Sequence, residues 1–245
     1  PQEVELGESP YEIAEVRERC VFTTHTPVEA GHDKFSYALV QRLLGDFIDF
    51  EAVKRLAGRD SLNMTRLALN LSGYVNGVAR RHASTATHLF PGYRIRAITN
   101  GIHVETWAHN AFASLYAKHM PHWCHEPEIL VRASQLPDDE IWRCHTAAKS
   151  DLIELTRALT GTALAPELPI IGFARRMTGY KRPLLLFSDM KRLLAIAKRH
   201  PFQVVLAGKA HPRDAEGKVA IRQINEAIQL LKGELTCVFL PNYDM

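Results

Sequence analysis

The fold is decided by three short apolar segments, LPIIGFAR (Leu168–Arg175), FQVVLAGK (Phe202–Lys209) and LTCVFLPN (Leu235–Asn242). Uninterrupted apolar runs of this length are typical of strands that are covered on both faces. Helical patterns separate them, one over about residues 183–199 and the other over about residues 213–231. The order strand, helix, strand, helix, strand predicts a right-handed parallel unit, which is the first half of a doubly wound α/β sheet.

The residues before this unit are predicted to be mainly helical. The exception is CVFTT (Cys20–Thr24), whose β-branched and aromatic residues predict a short buried strand. Residues 34–56 carry apolar side chains at helical intervals, and Ser61 is a suitable cap for a second helix whose apolar stripe continues to Val78. A further helix is predicted from Pro137, with acidic residues in its first turn and an inward stripe of Ile141, Cys144, Ala148, Leu152, Leu155 and Leu159.

The composition is that of an ordinary globular protein. The chain has 245 residues, 46% of them apolar, and 30 basic against 27 acidic residues leave a net charge of +3. This balance predicts neither a nucleic-acid partner nor an anionic membrane surface. No apolar stretch approaches the ~20 residues of a membrane span and no signal peptide opens the chain, so we expect a cytoplasmic protein. Because the first residue is Pro1 rather than Met, we also expect a fragment.

Neither the cysteines nor the polar segment HTPVEAGHD has the spacing of a metal site. The four cysteines are scattered, which favours reduced thiols. The chain also lacks a Walker motif and a GxGxxG fingerprint, which argues against P-loop chemistry and hydride transfer. The two histidines of HTPVEAGHD lie seven residues apart across a proline and a glycine. A polar substrate loop is therefore favoured over a metal site formed by His25, Glu29, His32 and Asp33.

Basic residues occupy both strand-to-helix turns of the predicted sheet. The first turn, RRMTGYKR, holds Arg175, Arg176, Lys181 and Arg182, and the second turn, in AGKAHP, holds Lys209. Ligands of open parallel sheets bind beyond the carboxyl ends of the strands, where helix N-termini also direct their amides. The cluster therefore predicts a local anion site, in which Arg176 offers a planar fork and Lys181 a mobile charge. The alternative is a set of solvated loop cations, which the clustering makes less favoured.

Two Asn-Gly pairs lie in VNGVARRH and ITNGIHVETW. The Asn-Gly pair is chiefly a turn signal. An amide that is held in a tight turn can also bind a sugar hydroxyl, and Asn76 follows a predicted long helix that would hold it in place. The pattern alone leaves a structural role and a sugar-binding role equally open.

Several segments, taken together, resemble the α-glucan phosphorylases, the family of glycogen, starch and maltodextrin phosphorylase. They are VFTTHTPVEAGHD, NMTRLALNLSGYVNGVARRH, ITNGIHVETW, GFARRMTGYKRPLLLF, AGKAHP and VFLPNYDM, and they occur in the order found in that family. The resemblance spans about Cys20 to Met245. The TGYKRP and AGKAHP stretches are more similar to the shorter microbial members than to the regulated animal enzymes.

The resemblance implies a two-domain, GT-B-like glycosyltransferase with two facing Rossmann-like domains. Residues 1–76 would form the end of the N-terminal glucan-binding domain, and residues 77–245 the first half of the C-terminal Rossmann-like domain that holds phosphate and cofactor. The implied activity is that of a hexosyltransferase of the glycogen phosphorylase type, which converts terminal α-1,4-linked glucose of glucan or maltodextrin and inorganic phosphate into glucose 1-phosphate. The implied cofactor is pyridoxal 5′-phosphate, whose phosphate group takes part, and the implied full-length protein is a homodimer.

The resemblance also implies roles for individual residues. Arg176 and Lys181 match the clamp of the family on the substrate phosphate, and Arg175 matches a basic residue near the cofactor phosphate. His25 matches a histidine that lines the glucose subsite, and Asn76 an asparagine that binds a glucose hydroxyl. Lys209 is a weaker candidate for the phosphate region. The Schiff-base lysine of the family follows the segment that resembles NYDM, so we expect this chain alone to bind the cofactor poorly and to be nearly inactive.

Two other functions remain open at this stage. A nucleotide-sugar-dependent glucan synthase has a similar two-domain structure and a similar arginine and lysine clamp on a diphosphate, but HTPVEAGHD and NYDM favour a phosphorylase. A non-catalytic glucan-binding remnant is the alternative from another class of protein. Hydrolysis would call for two carboxylates across the glycosidic bond, and the sequence offers no convincing pair. A phosphate nucleophile that is supported by a second phosphate can donate the proton instead, provided that cations surround both groups.

Overall fold

The computed structural model describes residues 12–26, 28 and 31–241. These residues form two compact units, unit 1 up to residue 102 and unit 2 from residue 103. Each unit contains its own parallel sheet and its own apolar core. The domain boundary that the family resemblance implies, at Asn76–Gly77, concerns the full-length protein and stays a prediction.

Unit 1 is built around a three-stranded parallel sheet in the order β1-β4-β5. Side chains of α4, β4 and α5 pack together beside this sheet, among them the buried Leu69, Val75 and Ala86. A separate two-stranded antiparallel sheet joins β2 and β3. The elements of the unit are α1 (Ile13–Arg19), β1 (Val21–Thr24), β2 (Lys34–Phe35), α2 (Tyr37–Leu44), α3 (Phe50–Ala57), β3 (Leu62–Asn63), α4 (Met64–Asn70), β4 (Tyr74–Gly77), α5 (Arg80–Leu89) and β5 (Arg96–Ala97).

The helices of unit 1 are shorter than the sequence pattern predicts. The helical pattern predicted over residues 34–56 is partly wrong, because it forms two helices: Gly45, with a positive φ of 51°, ends α2, and α3 begins at Phe50. The predicted cap at Ser61 is also wrong, since the side chain of Asn63 accepts the N–H of Arg66 at 3.0 Å and caps α4.

The predicted continuation of that second helix to Val78 is wrong for a different reason. The helix ends at Asn70, and residues 74–77 form the strand β4, which pairs with β1. The predicted strand at Cys20–Thr24 does form as β1, but it lies at an edge of its sheet, so Val21 is 66% exposed rather than buried.

Unit 2 contains the strand and helix alternation that the sequence predicts. Its three strands are parallel, in the order β6-β7-β8, and both crossovers contain a helix. The elements are α6 (Val104–Trp107), α7 (Asn110–His119), a 3₁₀ segment (Pro127–Gln135), α8 (Asp138–Thr160), β6 (Ile170–Ala174), 3₁₀ turns at Gly179–Lys181 and Leu185–Phe187, α9 (Met190–Arg199), β7 (Gln203–Ala207), α10 (Ala215–Leu231) and β8 (Cys237–Leu240). The predicted parallel α/β unit is confirmed.

The central strand β7 is buried on both faces. Val204 and Leu206 on one face join the larger core, which includes residues of α9 and α10, and Val205 and Ala207 on the other face join a smaller core beside α8. Alternate residues of a strand point to opposite faces, so one apolar strand supplies both cores. This arrangement explains why β7 carries no polar residue after Gln203.

The first strand, β6, departs from the prediction of burial on both faces. It forms an edge of the described sheet, and Ile171 is 43% exposed. Two largely apolar depressions, of about 630 and 780 Å³, lie beside β6 and share Gly172 in their walls. The predicted inward stripe of α8 is also partly wrong: Leu155 and Leu159 are more than half exposed, and Thr156 is the buried residue at that end.

Polar contacts connect α7 to the first turn of α8. The Nζ atom of Lys118 donates to both carboxylate oxygens of Glu140, at 3.0 and 2.8 Å, and His119 Nε2 lies 3.1 Å from the nearer one. The hydrogen bond from Lys118, followed by that with His119, lowers the pKa of Glu140 to about 2. The ionised carboxylate therefore stabilises the packing of α7 on α8.

Replacing Glu140 with glutamine is expected to lower the urea midpoint of unfolding at pH 7. A carboxylate whose pKa is depressed in the folded state stabilises the fold above its ordinary pKa, near 4.5, and this contribution disappears as the pH falls toward 2. The difference between the wild-type and Glu140→Gln chains should therefore shrink over that pH range in urea titrations. Glu154→Gln, an exposed change on the same helix, is the control. A difference that is the same at pH 7 and pH 2 would contradict the role of the ionised carboxylate.

Candidate functional site

The basic loop, residues 175–182, continues the ladder of β6 beyond its carboxyl end. The N–H of Arg175 donates to the carbonyl of Ala207, and the N–H of Met177 donates to the carbonyl of Lys209, both at 3.0 Å. The side chain of Met177 is fully buried in the core of unit 2. Arg176 thus lies between two residues whose backbones are bonded to the neighbouring strand and the turn that follows it.

The cations of the basic loop have no carboxylate partner among the residues that the structure describes. Arg175 and Arg176 are exposed, as is Lys209 in the neighbouring turn. No salt bridge to these residues or to Lys181 is formed within residues 12–26, 28 and 31–241. The ammonium of Lys181 instead lies 4.8 Å from the ring centroid of Tyr180. A group of cations at the carboxyl edge of a parallel sheet can bind an anion where, as among the described residues, no carboxylate pairs with them.

One part of the predicted anion site is wrong. The basic loop is not followed directly by a helix N-terminus, because a 3₁₀ turn (Gly179–Lys181) and a second one precede α9, which is capped by Asp189. The N-terminus of α9 therefore does not directly follow the basic loop, whose charged groups are its side chains. Arg182 ends the first 3₁₀ turn with φ 54°, and it is the one non-glycine residue with positive φ in the part of the chain that the structure describes.

His25 and Asn76 lie at the carboxyl edge of the sheet of unit 1. Strands β1 and β4 are parallel neighbours, with Thr23 opposite Asn76 and Thr24 opposite Gly77, and His25 follows β1 directly. His25 is exposed, whereas Asn76 is 5% exposed. The turn that the Asn-Gly pair predicts at this position is wrong, because both residues belong to β4. The pleated strand, and not a turn, positions the amide of Asn76.

The amide of Asn76 is oriented by a neighbour that the sequence did not suggest. The hydroxyl of Thr23 donates to Asn76 Oδ1 at 3.0 Å across the paired strands. With its oxygen accepting this hydrogen bond, Asn76 keeps its amide nitrogen as the group that can donate to a ligand. The contact joins residues 53 positions apart, so no local pattern could have indicated Thr23.

The structure brings the predicted residues together in two separate sets. Arg175, Arg176 and Lys181 share the basic loop of unit 2, beside the turn that holds Lys209. His25 and Asn76 share the sheet edge of unit 1. The NYDM motif, residues 242–245, which contributes to the family resemblance, lies outside the described residues.

A family model described as carbohydrate phosphorylase matches residues 28–245, which is most of the chain. The chain belongs to the carbohydrate phosphorylase family. The resemblance that the motifs indicate is thereby confirmed.

Curated relatives of this phosphorylase chain include archaeal and bacterial enzymes. The maltodextrin phosphorylase of Thermococcus litoralis is 35% identical over 261 residues, covering 94% of this chain and 31% of the relative. The glycogen phosphorylase of Aquifex aeolicus is 32% identical, covering 86% of this chain and 36% of the relative. The glycogen phosphorylase of Mycobacterium tuberculosis is 31% identical, covering 94% of this chain and 32% of the relative. The phosphorylase chain therefore spans about a third of the length of these relatives.

Two further observations concern metals and membranes. The described residues of the phosphorylase chain contain no group of three or more histidine, cysteine, aspartate and glutamate side chains placed to hold a metal ion. In the same residues, none of the helices combines the length and the apolar character that a membrane span requires. His32 of the HTPVEAGHD segment instead places Nδ1 2.8 Å from the hydroxyl of Thr65, with its ring edge-on to Phe90.

Proposed function

We propose that this phosphorylase chain is part of an α-glucan phosphorylase, which transfers the terminal α-1,4-linked glucose of a glucan to orthophosphate and releases glucose 1-phosphate. The observation that carries the proposal is the basic loop, whose arginines and lysine have no carboxylate partner among the described residues. The names of the relatives support the reaction class, since they are called maltodextrin and glycogen phosphorylases.

Arg176 and Lys181 are the proposed ligands of orthophosphate. A guanidinium can donate two parallel hydrogen bonds to phosphate oxygens, and an ammonium adds a mobile point charge from another direction. In the reaction, the bond between C1 of the terminal glucose and the glycosidic oxygen breaks, and that oxygen takes a proton from orthophosphate. A phosphate oxygen then bonds to C1. Positive charge that develops at C1 is stabilised by the bound phosphate, so holding this phosphate in place lowers the barrier.

Arg175 is the proposed contact to a second phosphate group. In this family the cofactor pyridoxal 5′-phosphate, when bound, supplies a phosphate group that takes part in proton transfer. Two phosphates that lie close together repel each other, and nearby cations lower that cost. The residues present fit such a group, because the exposed guanidinium of Arg175 is unpaired within the described ranges and lies next to Arg176 in the same loop. None of the lysines of this chain is assigned as the Schiff-base partner.

His25 and Asn76 are the proposed contacts to glucose. His25 is exposed after the end of β1, and the amide nitrogen of Asn76 is the group that can donate to a ligand while its oxygen accepts from Thr23. An imidazole and an amide offer directional hydrogen bonds to sugar hydroxyls, and neither group would hydrolyse the glycosidic bond. Their proposed role is to orient the terminal glucose, and the glucan and orthophosphate are the proposed partners of the full-length protein.

The reaction class is tested by supplying the full-length protein with alternative substrates. We expect glucose 1-phosphate from maltodextrin and orthophosphate, and no transfer of glucose from UDP-glucose or ADP-glucose to the glucan. Transfer of glucose from a nucleotide sugar would contradict the proposal and would indicate a glucan synthase. Binding of glucan without either reaction in the full-length protein would replace it by a non-catalytic glucan-binding protein.

Replacing Lys181 with alanine in the full-length protein is expected to raise the KM for orthophosphate about tenfold, which is the scale of one exposed charge contact to phosphate. The KM for maltodextrin should stay within about twofold. Lys191→Ala is the matched control, because Lys191 is an exposed lysine on α9 and lies outside the basic loop. Initial rates over a range of orthophosphate concentrations measure the effect. A KM for orthophosphate equal to that of the control would contradict the assignment of Lys181 to the phosphate site.

A further inference from the structure

The backbone of the basic loop passes unusually close to two glycines. A Cβ atom added to Gly208 would lie 2.1 Å from the carbonyl oxygen of Arg175 and 2.8 Å from the terminal carbon of Met177. A Cβ atom added to Gly217 would lie 2.2 Å from the carbonyl oxygen of Met177. The two close approaches fall on the residues before and after Arg176. Glycine is thus the residue that the two positions accept without moving the loop.

Gly217 cannot easily retreat from the loop. It lies in the first turn of α10, and its N–H donates to the side chain of the cap residue Asp214 at 2.8 Å. A glycine inside a helix is less favourable than alanine, so a reason in packing is expected where one occurs. The close approach of Met177 supplies that reason. By contrast, a Cβ atom added to Gly172 in β6 would meet no atom within 4 Å.

Gly208, in the turn after β7, is also fixed in place where the basic loop approaches it. Its N–H donates to the carbonyl of Leu240 at 3.2 Å, which ties it to the end of β8. The neighbouring residues Ala207 and Lys209 accept the N–H groups of Arg175 and Met177. The loop is therefore bonded to the turn after β7 and packed directly over the glycine between those two acceptors.

We propose that Gly208 and Gly217 are positioning residues for Arg176: they let the basic loop lie deep against the turn after β7 and the first turn of α10, and so fix the guanidinium for phosphate. The inference rests on the proposed function, in which Arg176 binds orthophosphate. A methyl group at either glycine would force the neighbouring backbone to move by most of an ångström. Displacements of this size at a reacting group cost about 10²-fold in rate.

The test uses the full-length protein with Gly208→Ala and Gly217→Ala. We expect the KM for orthophosphate to rise at least tenfold in each, while the KM for maltodextrin stays within about twofold. The rise in melting temperature that orthophosphate produces should be lost as well, which reports binding without turnover. The controls are Gly172→Ala, which adds a methyl group in open space, and Leu115→Ala, which loosens a separate core of unit 2 that contains no residue of the basic loop.

The outcomes separate this inference from the proposed function. If Arg176→Ala leaves orthophosphate use unchanged, the proposed function of the loop fails. If Arg176→Ala is defective while both alanine variants match the controls, the positioning role is overturned. Where an alanine variant does not fold, Met177→Ala decides, because it frees the loop from its buried anchor without adding an atom. Normal orthophosphate KM in folded Met177→Ala would also overturn the inference.

Discussion

Replacing Arg176 with alanine in the full-length protein is expected to lower kcat/KM for orthophosphate by about 10²-fold or more, the scale of removing one preorganised electrostatic donor. Arg176 is exposed and unpaired among the described residues, and the backbones on both sides of it are bonded to the neighbouring turn. The backbone that carries its guanidinium is therefore held in place before phosphate arrives. Initial rates at limiting orthophosphate measure this ratio.

Two further variants make the Arg176 prediction specific. Arg176→Lys keeps the charge but removes the fork, so we expect an intermediate loss of kcat/KM. Arg222→Ala, an exposed arginine on α10, should behave as the wild-type protein. Equal kcat/KM for Arg176→Ala and Arg222→Ala would exclude the basic loop from the phosphate site.

Replacing Leu231 with alanine is expected to cost about 2–5 kcal/mol of unfolding free energy, the range for truncating a buried leucine. Leu231 is fully buried at the end of α10, in the core that includes Val204 and Leu206 of β7. Its neighbour Leu230 is 77% exposed, so Leu230→Ala should change the unfolding free energy by no more than about 0.5 kcal/mol. Urea denaturation of the chain measures both, and equal effects would contradict the burial of α10 described here.

The parallel unit of unit 2 was predictable because its signals are local. The apolar runs that become β7 and β8 are short and uninterrupted, and the stripe of α10 repeats at the helical period over its whole length. The partial exposure of β6 was not predictable from its own residues. Exposure depends on what lies at the next position in the sheet, and a strand at an edge has the same sequence character as a central one.

The end of α4 shows why unit 1 was predicted less well. Tyr74, Val75 and Val78 fit the apolar stripe of a helix and also suit a strand. The strand forms because β1, more than 50 residues earlier, pairs with this segment residue by residue. The N–H of Gly73 also donates to the carbonyl of Arg17 in α1, and not to a carbonyl of α4 as it would if that helix continued. Pairing between distant segments thus overrides the local preference.

In the candidate site too, features within one segment were predictable from the sequence, and contacts between distant segments were not. The grouping of Arg175, Arg176 and Lys181 in one loop was predictable, because all three follow a single strand. The hydrogen bond from Thr23 to Asn76, and the close approach of Gly208 and Gly217 to the loop, depend on segments that meet only in the folded chain. Residue type indicates which groups can bind phosphate, and distant neighbours determine how rigidly they are held.

The bare side of β6 also matters for handling the chain. In the described sheet this strand pairs only with β7, which leaves its other row of N–H and C=O groups beside apolar surface. Such a row can accept a further strand by backbone hydrogen bonds, so in residues 1–245 alone it is a template for association between identical chains. Concentrated solutions of residues 1–245 therefore call for screening by light scattering before any crystallisation or NMR work.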